Sequence, residues 1–281
     1  SLRPASGSDQ CTLIPEEPVY GLSTIGSLID GGSSAPVIAL LVGVVFLALF
    51  IHRQLLLGRR GRALLDLRPF AVRTFAVAVI VVVMAMGMML GTVMVLPIYL
   101  QTSLGVSALV TGLLLLPGGL IQGIVSPFIG RIYDTVGPRP LAVPGAILMF
   151  LACWWQYFAY TSSTSVWVVV AANVTFGVGM ALVMTPLMTV SLASLPMDLY
   201  GHGSAIMNTL QQLGGAMGTA VLIAAMSVGA ARADAPLVDA QAAGTSEAFL
   251  AGGILALIAV IAAPFVGPLP ATKVVNSKAP R

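Results

Sequence analysis

Residues 130–140 read GRIYDTVGPRP, and they gather Arg131, Asp134 and Arg139 in a chain that otherwise avoids charge. No Asp, Glu, Lys or Arg falls between Arg73 and Arg131, and none between Arg139 and Asp198. Gly130 and Gly137 would permit close helix approach and a tight reversal. Asp134 can cap or face the positive end of a helix, and the arginines can pair with it or with lipid phosphate. The chemistry on offer there is electrostatic latching. A second set of residues is polar without charge. Asn208, Gln211, Gln212, Gly215, Gly218 and Thr219 recur at three- and four-residue steps and share one helix face. Pro117, Gly118 and Gly119 precede Gln122, and Asn173 precedes Gly177 and Gly179. Amides are costly against acyl chains, so these side chains should face protein or a wet cavity. Two readings fit them equally: interhelical hydrogen bonding beside a small-residue seam, or the lining of a substrate cavity. The proline and glycines likewise suit either a helix hinge beside a cavity or a kink used for packing.

Catalysis has no candidates. No apolar stretch carries a nucleophile–base pair, a carboxylate pair or a His cluster, so the chain is read as a non-enzyme. Cys11 and Cys153 provide neither a disulfide framework nor a metal-ligand spacing, and no cofactor is implied.

The elements that position these groups follow from composition. Of 281 residues, 58% are hydrophobic and 8% charged, where a soluble domain carries about a quarter charged residues. A soluble fold of this length could not hide so much apolar surface. The fold class is therefore all-α and integral to a membrane, with the lipid bilayer as solvent. The net charge of +3 and pI near 9.1 do not indicate nucleic acid, because the bases flank apolar runs and form no patch.

About 20 apolar residues cross the hydrocarbon layer as a helix. Seven stretches qualify: 34–52, 74–99, 107–129, 140–160, 165–191, 203–229 and 247–269. Residues 1–33 read as an extracytoplasmic tail or loop, 53–73 as an Arg-rich cytoplasmic connection and 270–281 as a cytoplasmic tail. Eleven Lys and Arg residues fall in alternate connections and the C-terminal tail, against Arg3 and Arg232 on the other side. The positive-inside rule then puts the N-terminus outside, the C-terminus in the cytoplasm and GRIYDTVGPRP in a cytoplasmic turn.

Gly130, Asp134, Gly137 and Arg139 match the spacing of the loop signature of the major facilitator superfamily. The tracts LPIYLQTSLGVSALVTGLLLLPGGLIQGIVSPFIGRIYD (96–134) and HGSAIMNTLQQLGGAMGTA (202–220) resemble helices of its fourteen-span drug:proton antiporters of the EmrB/QacA type. The likeness is strongest to the lincomycin-efflux-like branch and runs from about Tyr20 to Val266. It implies a six-helix C-terminal half over 74–269, preceded by one extra span, with a missing N-terminal half as partner. It further implies export of amphipathic small-molecule drugs in exchange for protons across a bacterial plasma membrane. Related patterns often carry Arg where this chain has Gln211. Residue 1 is Ser, and the expectation is a fragment or a truncated product without independent activity. A seven-span receptor fits the span count and N-out orientation, but makes the signature a coincidence.

Spans two to seven hold no ionisable side chain at depth. Asp198, His202 and His52 sit at cytoplasmic ends, Asp30 at the outer end of the first span and Glu247 at the outer mouth of the last. Met84, Met86, Met88 and Met89 suit packing or an adaptable drug surface. Trp154, Trp155, Trp167, Tyr157 and Tyr160 suit an interfacial belt. In a Cys11- and Cys153-free background, an impermeant maleimide added outside intact cells is expected to modify Ser163→Cys and to spare Thr135→Cys. The opposite labelling pattern would reverse the topology.

Overall fold

Lipid supplies no hydrogen-bond partners, so a chain this apolar must close its backbone bonds within each segment, and helices do so. The structure is a computed structural model that describes residues 66–233 and 235–267. The expected tail, the 34–52 span, most of the Arg-rich connection and the 270–281 tail lie outside the described residues. Six helices follow: α1 (Arg73–Thr102), α2 (Ala108–Val136), α3 (Arg139–Ala159), α4 (Val166–Ala193), α5 (Tyr200–Arg232) and α6 (Leu237–Ala262). All six are long and apolar enough to cross a membrane. Short 3-10 turns at Arg68–Ala71, Met197–Leu199 and Ala263–Phe265 flank them.

Two helices extend well beyond their apolar windows. The 107–129 stretch continues as helix to Val136, so Arg131 and Asp134 stand on the last turns of α2 and not in a turn. The reversal is confined to Gly137 and Pro138. Gly137 has φ +81° and its N–H bonds the Tyr133 carbonyl at 2.9 Å. Pro138 and Pro140 then open α3, giving glycine after one helix and proline at the start of the next. A Cβ on Gly130 would make an ordinary 4.0 Å contact with Thr185, so close approach there does not depend on glycine. The last helix begins at Leu237, ten residues before the apolar window beginning at 247. Residues 237–246 are too polar to suit lipid, yet their Leu, Ala and Gln are good helix formers. Hydropathy marks where lipid ends; propensity and capping mark where the helix ends.

The helices form two triplets, α1–α3 and α4–α6. Because each triplet has three helices, the second runs inverted relative to the first. The first helix of each triplet packs extensively on the second helix of the other, α1 on α5 and α4 on α2. α3 packs on α4 and α6, and α5 on α6, while α1 also contacts α4 and α6. This is an inverted-repeat architecture. α1 is the central helix, with 56% of its apolar window buried, whereas α2 has 11% buried and touches little beyond α4.

Glycine pairs set the helix separations. A Cβ on Gly218 of α5 would collide with the Gly87 backbone of α1. A Cβ on Gly177 of α4 would stand 2.6 Å from the Gly118 carbonyl of α2. Gly145 and Gly179 repeat the arrangement between α3 and α4, and Gly229 and Gly244 between α5 and α6. Small residues let backbones approach and supply the dispersion contact that holds membrane helices together. Gly218→Ala is expected to lower the stability of the bundle by about 1–3 kcal/mol through overpacking. Gly112→Ala, whose added methyl meets nothing within 4 Å, is expected to leave it unchanged. A denaturant titration followed by circular dichroism would compare them.

Candidate functional site

Where α1, α2 and α4 meet, they enclose a cavity of about 290 Å³. Its wall is Met89, Thr92, Val93, Leu96 and Pro97 from α1, Leu115, Gly118, Gly119 and Gln122 from α2, and Asn173, Phe176 and Gly177 from α4. The Gly118–Gly177 crossing draws α2 onto α4 and brings Asn173 against Gly118, where a Cβ would strike its side-chain nitrogen. Asn173 Nδ2 donates to the Leu115 carbonyl at 3.3 Å, an amide tether between the two helices. Gln122 uses its backbone carbonyl to accept from Ser126 Oγ at 2.7 Å. Among the described residues, its side-chain amide and the Thr92 hydroxyl bond no protein group. α2 stays one continuous helix through Pro117 and Pro127, so the Pro117-Gly118-Gly119 stretch is not a break.

The fold thus joins Gln122 and Asn173, from separate stretches of sequence, in one wall. It does not bring Asn208, Gln211 and Gln212 there. Gln211 is half-buried, and its Nε2 lies 3.5 Å from Met188 Sδ on α4. Asn208 and Gln212 are exposed on α5. Gly215 and Gly218 turn the other way and pack on Leu90 and Gly87 of α1. The shared face read from the three- and four-residue steps is therefore split. Its arc straddles the edge between the packed glycine seam and the open flank of α5.

Thr92 escaped the sequence reading. It is 4% exposed, and its signal was a hydroxyl standing alone in the otherwise apolar stretch 75–98. Of the methionine group, Met89 lines the cavity while Met88 is fully buried in the core. The aromatic group also divides. Trp155 and Trp167 face outward, whereas Tyr160 is buried, stacked on Tyr99 with ring centroids 4.8 Å apart.

Apart from Glu247, ten residues inside α6, the described charged residues collect at or near the helix ends. Arg131 and Asp134 are exposed, and the exposed Arg139 donates through Nε to the Val266 carbonyl, just past the 3-10 turn that follows α6. The Arg73 guanidinium lies 5.5 Å over the Phe265 ring. The Asp66 N–H points at His202 Nδ1, 3.4 Å away, and Asp66 pairs with Arg68 at 3.5 Å. Glu247 packs beside Gly229 near the opposite end of the bundle. The cavity wall itself contains no Asp, Glu, His, Lys or Arg.

An all-α bundle of inverted three-helix repeats, with a cavity between helices of both repeats, has the architecture of a secondary transporter. The chain belongs to the Major Facilitator Superfamily, whose sequence model matches residues 18–219. It is 38% identical over 256 residues to the lincomycin resistance protein LmrB of Listeria monocytogenes, covering 88% of this chain and 53% of that protein. It is also 38% identical to the MFS-type transporter YcnB of Bacillus subtilis, covering 85% of this chain and 50% of that one. The multidrug resistance protein Stp of Mycobacterium tuberculosis is 28% identical, over 70% of this chain and 36% of its own length. The chain spans about half the length of LmrB and YcnB.

Gln122→Cys, in a cysteine-free background, is expected to react with a small permeant maleimide. Adding Gly119→Leu should slow that reaction several-fold, because its side chain would grow into the cavity from a position where a Cβ meets nothing within 4 Å. Gly112→Leu, equally unobstructed but absent from the cavity wall, should not. Equal slowing by both would mean that residue 122 does not face this cavity.

Proposed function

We propose that this chain is the C-terminal half of a multidrug efflux permease of the bacterial cell membrane. With a preceding half it would exchange amphipathic drugs for protons. The carrying observation is an inverted-repeat bundle with a cavity, in a chain about half as long as the resistance proteins it resembles. The reading is supported by the apolar faces of α2 and α5 that the described residues leave uncovered. α2 exposes Leu113, Leu116, Leu120, Ile124 and Phe128, and α5 exposes Leu213, Met217 and Val221 beside Asn208 and Gln212. A second half seated there would cover these faces and close the cavity.

In this reading Gln122 and Asn173 line the drug path of this half. Asn208, Gln211 and Gln212 bound it on the α5 side, where the missing half completes it. Gly130, Arg131, Asp134, Gly137 and Arg139 form the cytoplasmic latch, with the exposed Asp134 reaching a partner in the other half. Pro117, Gly118 and Gly119 give α2 the compliance that rocking requires. A proton carrier needs an ionisable side chain at depth, and this cavity wall has none, so in this reading the carrier lies outside this wall.

The test is dye efflux from a bacterium stripped of its own pumps. The lone chain is expected to extrude no ethidium. Co-expression with the N-terminal half of LmrB should restore extrusion that a protonophore abolishes. Efflux by the lone chain would refute the two-half reading, and failure of every pairing would refute the transport reading. In the active pair, Asp134→Asn is expected to slow efflux by roughly 10-fold or more, the equivalent of one charge-assisted hydrogen bond.

A further inference from the structure

We infer that the α1–α2–α4 cavity recognises the uncharged, hydrogen-bonding end of an amphipathic ligand, a hydroxyl or carboxamide on an apolar frame. Thr92 and Gln122 are its specificity-determining residues. The inference rests on the transport reading and adds the chemical class that this wall selects.

Three features carry it. The first is the absence of countercharge. A cation or carboxylate entering a low-dielectric cavity loses hydration that only an opposite charge or a dense set of hydrogen bonds can replace, and no lining residue is ionisable. Cation–π contact is a poor substitute. Phe176 is the sole aromatic lining residue, so an aromatic cage for a cation is absent from this wall.

The second feature is unspent hydrogen-bonding capacity. Asn173 is partly committed, tethered to Leu115 and pressed on Gly118, and acts as a positioning residue. The Thr92 hydroxyl and Gln122 amide each hold a donor and an acceptor that bond no described protein group. Thr92 is 4% exposed and lines the cavity, and its hydroxyl is not among the fully buried polar atoms left without a partner, so it is open to a cavity occupant, water or ligand. The two groups stand on α1 and α2, helices that touch each other little. A ligand bonding both would bridge a gap that the protein leaves open.

The third feature is size. A cavity of about 290 Å³ falls at the lower edge of the roughly 300–1,000 Å³ range of drug sites. It holds one end of a drug-sized molecule, and the remainder extends toward the open side of the bundle.

The test uses the full chain in lipid nanodiscs and four probes sharing one diazirine-bearing aryl-alkyl tail. Their heads are a carboxamide, a trimethylammonium, a carboxylate and a methyl group, and affinities are taken relative to empty nanodiscs. The carboxamide probe is expected to label peptides around Met89–Pro97, Leu115–Gln122 and Asn173–Gly177, with the two charged probes at least tenfold weaker. Thr92→Val and Gln122→Leu should each weaken carboxamide binding by roughly 3–10-fold, one net hydrogen bond. Both should lose the preference for the carboxamide over the methyl-headed probe while circular dichroism shows the parent's helical content, and Thr92→Ser should retain the preference. Equal labelling of the same peptides by a charged probe would overturn the neutral class and leave the cavity standing. Labelling elsewhere, insensitive to Gly119→Leu, would overturn the cavity as the drug site. Unchanged carboxamide affinity in both variants would overturn the roles of Thr92 and Gln122.

Discussion

Helices surrounded by acyl chains gain almost nothing from hiding apolar surface against one another, because the lipid is as apolar as the side chains it would displace. What remains is dispersion at short range, and short range requires that side chains be absent. The Gly87–Gly218 contact between α1 and α5 and the Gly118–Gly177 contact between α2 and α4 meet that requirement. They join corresponding pairs of the two inverted triplets, so one device serves both repeats. Everything at the candidate site depends on the second of them. It sets the spacing of α2 and α4, presses Asn173 onto Gly118, and leaves the remaining space between α1 and α2 as the cavity.

Electrostatics divides the molecule in a complementary way. Arg68, Arg73, Arg131, Asp134, Arg139, Asp198 and His202 gather at one end of the bundle, where water and headgroups can solvate them, and the central wall is left without charge. Hydrogen bonds from Arg139 to the Val266 carbonyl just past α6 and from the Asp66 backbone to His202 tie helix termini together there. The cavity wall is therefore uncharged, with Thr92, Gln122 and Asn173 as its polar side chains, while these seven charged or titratable residues share one end of the bundle.

Much of this was legible in the chain. Mean composition and the charge-free intervals place six apolar helices in the described region, because burying backbone in lipid leaves few alternatives. The resemblance carried by Gly130, Asp134, Gly137 and Arg139 led to the right family. Helix ends were less legible at two places. The stretch through Val136 and the stretch from Leu237 remain helical beyond the apolar window, and hydropathy reports solvent preference, not backbone conformation. Thr92 was illegible for a different reason: its cavity partners Gln122 and Asn173 stand on other helices, and a single hydroxyl in an apolar run does not announce them.

The sequence by itself determined what each segment is: a helix, its apolar stretch, its charged end and its glycines. Those properties arise from interactions within a few residues and from the solvent each residue tolerates. Only the tertiary structure decided which segments meet, and so which polar residues share a site. Gln122 and Asn173 come together with Thr92 across three helices, while Asn208 and Gln212, periodic neighbours of Gly215 and Gly218, face away from the seam those glycines build. A helical repeat fixes angles about one axis. The azimuth of that axis toward its neighbours is set by where two backbones can touch, and that is a property of pairs of helices.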